Sequence, residues 1–262
     1  MSREDGSVAG TDAADEPVAD PDAAEEPHYG ETWVYESLVG AVPGIDLSPR
    51  RAVLLQFFLL EGAVLTLAAV YDRWPAAIAG TVAVVVATVG SVEMLRIAGI
   101  VRGTDAPEAY YSHLFASKVE VVLAVLAYTA LITHLFVVDP RGGGPTLIQK
   151  LAGPEPPVLV VYLVLIVLWD LCYRIGTGWW TSVVSLWRSI QYRFDPDDAS
   201  RLQRIDLETL GFGWLQLALV PFLLEQPVLL WAVVGHVVAV TVVTTLSIVL
   251  LWLRRTDGLT RT

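Results

Sequence analysis

The fold class predicted for this chain is all-α, an integral membrane helical bundle of about six transmembrane helices, and three observations predict it. The 262 residues are 54% hydrophobic and 17% charged, with a mean hydropathy of +0.55. That apolar share lies above, and the charged share below, those of an ordinary soluble domain. From residue 50 onward six apolar runs appear, at about 52–71, 76–97, 112–138, 157–176, 207–224 and 228–253. At ~1.5 Å per residue, such runs are long enough to cross a hydrocarbon core of ~30 Å. None of them alternates strictly between apolar and polar residues, so a spanning chain that satisfies its own backbone is helical rather than a barrel.

Residues 1–30 contain the acidic near-repeat DAADEP and DAAEEP. Eleven carboxylates and one base fall in residues 1–36, so −10 of the formal net charge of −11 is concentrated there. Such a stretch buries too little apolar area to offset its ordering entropy, and a disordered acidic tail is expected. The first ten residues lack a basic region followed by an apolar core, so insertion is expected to rely on the internal spans. Residues 31–50 form a juxtamembrane segment in which ETWVYESLVGAV is short and mixed enough to lie at the interface.

The transmembrane domain is expected over 51–255. Pro75, Pro157 and Pro227 stand at the starts of spans, where a missing N–H costs nothing, and RGGGP at 141–145 is a flexible connector. The fifth span is interrupted by Gly211, Gly213 and Pro221, which suits a kinked crossing or a re-entrant segment. Between the fourth and fifth spans, 178–206 reads as a cytoplasmic amphipathic loop whose first half either lies on the membrane or continues span four. Asp195, Asp197 and Asp198 lack the Gly and the terminal Glu of a calcium loop, so turn and helix-cap chemistry is expected.

Six spans place thirteen arginines on the side of both termini and only Arg73, Arg141 and Lys150 on the other, which predicts cytoplasmic termini in a cell membrane. Tyr71, Trp74 and Trp231 read as anchors at the outer boundary, and Tyr110, Tyr111, Trp179, Trp180 and Trp252 as anchors at the inner one.

Ionisable groups near a bilayer centre cost at least about 2.5 to 3.5 kcal/mol, so each needs partners, water or a function. In span three, Lys118 can snorkel toward the inner interface. Glu120 does not share a face with Lys118, but steps of seven align His113, Ser117, Glu120, Ala127 and His134 into one polar stripe, a candidate hydrated path. In span four, Asp170 and Arg174 are four apart and can clasp each other, or join an inner cluster with Glu93, Glu120 and Glu208. Glu61 lies near the midplane of span one and His236 at similar depth in span six. They can pair if those spans are neighbours; otherwise each bonds separately to Gln56, Gln216, Thr66 or backbone.

Cys172 is the single cysteine, so neither an intrachain disulfide nor a four-thiolate metal site can form. No HExxH, GxSxG or phosphate-binding glycine loop is present, which removes the common mechanistic hooks for catalysis. No cofactor, metal or nucleic acid is expected. The expected partners are the lipid bilayer and a second copy of the chain or another membrane protein.

With fifteen Arg against two Lys, abundant Val, Ala and Asp, and an acidic tail, the chain resembles haloarchaeal multi-pass membrane proteins of unassigned function. The resemblance implies a high-salt cytoplasm and no particular chemistry. The depth of the buried groups suggests ion- or proton-coupled movement of a small solute, with Glu61 as coupling group, His236 as its partner, and Glu120 and Asp170 as an inner relay. A membrane scaffold or accessory subunit, in which the same groups specify packing, is the competing expectation.

Overall fold

The computed structural model describes Trp33 and residues 48–259, with side chains through Arg254. The acidic tail expected over 1–30 and all of the juxtamembrane segment before residue 48 except Trp33 lie outside the described residues. Helices α1 (Pro49–Tyr71) and α2 (Trp74–Arg102) form an antiparallel hairpin. Pro49 opens α1 at a position where no N–H is needed, and Asp72, in a left-handed conformation at φ 53°, closes it. Two residues later Trp74 and Pro75 begin α2.

The third span is a composite. A short helix α3 (Glu108–Tyr111) runs into a π-helical turn (Ser112–Ala116), and Lys118 then takes a left-handed φ of 56° as the cap of α4 (Val119–Thr133). A second π-helical turn (His134–Val138) and a 3-10 turn (Asp139–Gly142) finish it. A left-handed lysine costs about 1 to 2 kcal/mol, so the break at 117–118 is imposed by packing on either side of it. The short helix α5 (Leu147–Ala152) opens with a capping box, in which Thr146 and Gln149 satisfy each other's backbone N–H groups.

Helix α6 (Val158–Gln191) is the centre of the bundle, touching α1, α2 and α4. It also touches α7 (Pro196–Leu215) and α8 (Pro227–Leu259). Its 34 residues span ~51 Å, so 177–191 continue span four, the second of the two readings the sequence allowed, rather than lying on the membrane surface. The chain breaks only at 192–195, where Asp195 accepts hydrogen bonds from the N–H groups of Asp197 and Asp198. The three aspartates therefore cap α7, as their spacing predicts.

Helices α6 and α8 run parallel: Ser182 meets Thr244, Ser189 meets Ser247, and Arg254 reaches the Tyr192 carbonyl. The segment between them must return the chain from one end of the bundle to the other. It does so as α7 continued by a 3-10 stretch (Gln216–Phe222) that contains Pro221, together about 44 Å long. The helix passes unbroken through Gly211 and Gly213, and tightens only from Gln216. Ser48 and Arg254 consequently lie at one end, called here the terminal end, while the turns at 72–73, 142–157 and 223–226 form the far end.

Among the described residues five helical stretches are long and apolar enough to cross a membrane: Pro49–Tyr71, Trp74–Arg102, Glu108–Gly142, Val158–Gln191 and Pro227–Arg254. The returning segment 196–222 is not among them, because its first half, PDDASRLQRIDLE, is polar. Large apolar side chains face outward along these helices, among them Phe58, Leu59, Val70, Val158 and Trp231. An outer surface this apolar suits hydrocarbon rather than water.

Candidate functional site

Among the polar contacts between the described helices three bear most directly on the buried charged residues, and a further feature, a cavity, remains open. The first contact joins α1, α2 and α6. Asp170 accepts from Arg174 Nη2 at 3.0 Å and from Gln56 Nε2 at 2.8 Å, and Arg174 Nη1 points at Met94 Sδ at 3.2 Å. The i,i+4 clasp expected from sequence is present, and Gln56 extends it to a neighbouring helix.

The second contact is Glu61, whose Oε1 accepts from Thr81 Oγ1 at 2.7 Å across the α1–α2 hairpin. His236 instead lies against the Trp179 ring, with centroids 6.1 Å apart. Glu61 Oε2 and His236 Nε2 are both buried without a hydrogen-bond partner, so the expected Glu61–His236 pair does not form. Helix α1 packs on α2 and α6, and it is Thr81 on α2 that meets the carboxyl.

The third contact was not expected. Arg188 and Asp206 are both wholly buried and form a 2.7 Å ion pair. Arg188 Nη1 donates to Tyr110 Oη at 2.6 Å and Nη2 to the Leu202 carbonyl at 2.9 Å. On the far side of the carboxylate, Ser247 Oγ donates to Asp206 Oδ2 at 2.7 Å. One knot thus ties α3, α6, α7 and α8 at the terminal end. Tyr110, expected from sequence to be an aromatic anchor, and Arg188, one of the thirteen arginines counted on the side of the termini, are core residues. Tyr111 is only partly buried, and its hydroxyl meets the carbonyls of Val101 and Thr104 at the end of α2.

The polar stripe along span three does not survive the break at Lys118. His113 stacks on Trp187 with centroids 4.6 Å apart, and its backbone carbonyl accepts from Trp180 Nε1. Lys118 is exposed, with its ammonium 3.5 Å from the Phe115 carbonyl. Glu120 is wholly buried, and neither carboxyl oxygen has a hydrogen-bond partner. It sits where α4 crosses α6 at Gly176, against the Glu120 and Ala124 backbone. Glu93 lies beside Thr209 and Glu208, while Glu208 pairs with Arg96 at 2.6 Å and Arg204 at 3.2 Å. Glu93 and Glu208 are thus neighbours, while Glu120 and Asp170 each have other surroundings, so the four form no common cluster.

Trp33, the one described residue before Ser48, is wholly buried at the terminal end. Its Nε1 donates to the Met94 carbonyl at 3.3 Å, and its ring stands edge-on to Phe115 at 4.9 Å.

The open feature is a cavity of ≈ 520 Å³ in the far half of the bundle, partly open to the outside and walled by α1, α2, α4, α5, α6, the 3-10 stretch and α8. Its size comes from small residues at helical spacing: Ala76, Ala79, Gly80 and Ala83 on α2 face Ala127 and Ala130 on α4. Leu, Val and Ile side chains make most of the remaining wall. Besides Cys172, the polar side chains that reach it are Arg73, His134, Gln216 and His236. His134 Nε2, Gln216 Oε1 and His236 Nε2 are buried without hydrogen-bond partners. His134 belongs to the second π-helical turn, a distortion often found at functional sites. Sequence reasoning singled out His134 and His236 but gave neither a cavity. Among the described residues no group of three or more His, Cys, Asp or Glu is placed to hold a metal ion.

A volume of this size lies within the range of small-molecule sites, which are mostly apolar with a few convergent polar groups.

Residues 28–247 match a family of unknown function, DUF7530, and the chain belongs to that family. Comparison with curated proteins and with solved structures finds no match.

Proposed function

We propose that this family member is a multi-pass protein of the cell membrane that crosses the bilayer six times, with 196–222 as the fifth crossing, and holds an apolar, lipid-like molecule in its far-half cavity. Of the thirteen arginines counted from sequence on the side of the termini, Arg174 and Arg188 are core residues; the other eleven against three basic residues on the opposite side support cytoplasmic termini, which puts the cavity in the outer half of the membrane. The observation that carries the binding reading is the cavity itself: ≈ 520 Å³ of largely apolar wall with three orphaned polar atoms. An occupant that fills the apolar space and meets His134, Gln216 or His236 with a single polar group or a water matches that wall.

Ion- or proton-coupled transport ranks below this reading. Its relay would need Glu61, Glu120 and Asp170 to share a hydrated path, whereas Glu61 bonds to Thr81, Asp170 to Arg174 and Gln56, and Glu120 sits at a helix crossing. These contacts suit interhelical attachment in a membrane, worth about 0.6 kcal/mol each on average.

Mass spectrometry of the protein purified in mild detergent tests the proposal. The expected result is one apolar molecule retained at near-equal stoichiometry, lost from the double variant Ala127→Phe with Ala130→Phe while helix content stays unchanged. Equal retention by the wild type and the filled variant would refute it, as would a wild type that retains nothing.

A further inference from the structure

We infer that the occupant is an anionic amphiphile, with its oxyanion head bound by Arg73 at the far-end mouth and its hydrocarbon chain in the cavity. The inference rests on the cavity-binding reading and names the ligand class for it.

Arg73 is one of only two residues between α1 and α2, so its backbone is held by the ends of both helices. Its guanidinium lies against Gly153, just after α5. Gly153 has a φ of +95°, which favours glycine, and a Cβ there would stand 2.5 Å from Arg73 Nη2, so a larger residue would displace the guanidinium. The turn at 153 thus forms a seat for the guanidinium, which at the same time lines the cavity.

That guanidinium has no ion pair among the described residues, although carboxylates are present at the same end. Glu225 pairs with Lys150 at 2.6 Å, and the hydrogen bond and charge of that ammonium hold its carboxyl below the usual carboxylate range. Asp139 accepts from the Leu147 N–H and from Gln226. Asp72 and Glu155 are exposed and make no ion pair with Arg73. A positioned, unpaired guanidinium beside apolar space presents a planar fork of donors suited to a phosphate or carboxylate. The position also runs against the charge pattern of the chain, because the far end carries only Arg73, Arg141 and Lys150 among its basic residues.

Two sources share this head chemistry, the phosphate of a membrane phospholipid and the carboxylate of a free fatty acid. The test titrates delipidated full-length protein with phosphatidylglycerol and with palmitate, each against its uncharged counterpart, diacylglycerol and hexadecanol. The wild type should prefer one or both charged probes by at least ten-fold. Arg73→Gln should abolish that preference, Arg73→Lys should keep part of it, and Arg141→Gln should leave it intact. Preference for phosphatidylglycerol identifies a phospholipid, and preference for palmitate a fatty acid. Equal binding of charged and uncharged probes by the wild type would overturn the role of Arg73 and leave cavity binding standing. Binding of no probe, or binding unchanged by Ala127→Phe with Ala130→Phe, would overturn both. Should Arg73→Gln fail to fold, the ratio of Arg73→Lys to wild type carries the test, and an unchanged preference in a variant with Gly153→Leu displacing the guanidinium would count against it.

Discussion

Arg188 and Asp206 show what a single buried pair does in this bundle. Each is fully removed from solvent, and the desolvation is offset by a 2.7 Å contact together with Tyr110, the Leu202 carbonyl and Ser247. Removing one partner strands the other charge, which costs about 3 to 5 kcal/mol, whereas replacing both with apolar residues is often neutral. Asp206→Asn and Arg188→Met are therefore expected to lower stability strongly in thermal unfolding in detergent, and Arg188→Met with Asp206→Leu to recover most of the loss. Additive losses in the double variant would contradict the pairing. The Asp170–Arg174 contact was legible because four residues along one helix bring two side chains onto one face. Arg188 and Asp206 are 18 apart on different helices, and Glu61 and Thr81 are 20 apart across a hairpin. Such pairs depend on how helices pack, which periodicity within one helix does not encode.

At the scale of elements, apolar length alone located the spans, since a run of twenty such residues has few other uses. Two features escaped it. Helix α6 runs on for fifteen residues beyond the expected end of span four, because Thr177, Ser182 and Ser189 bury their hydroxyls by bonding within α6 or to α8. The third span breaks at Lys118, which carries no glycine or proline to announce it. Where α4 and α6 cross, Gly176 permits the approach, and a Cβ there would stand 3.1 Å from the Ala124 backbone N. Gly176→Leu should push the helices apart and destabilise the protein by about 1 to 3 kcal/mol, measured by the same unfolding assay. A variant as stable as wild type would show that the crossing is looser than described.

For the whole molecule, the alanines and glycine of α2 and α4 were the visible sign of the cavity. Small residues at spacings of three and four commonly read as a close helix contact in membranes. Gly80 does receive Val64 of α1, with its Cβ position 3.1 Å from Val64 Cγ1, while the neighbouring alanines border open space. The same pattern thus serves contact on one side and vacancy on the other, and only the assembled bundle distinguishes them. Buried polar contacts secure the helices, and the far half keeps its apolar volume, with Arg73 at the mouth. The most direct measurement is an electron cryomicroscopy map of the full chain in lipid nanodiscs. An elongated density between α2 and α4, ending at the Arg73 guanidinium, is the predicted result. A cavity closed by inward movement of α4, or filled by the protein's own side chains, would contradict the account.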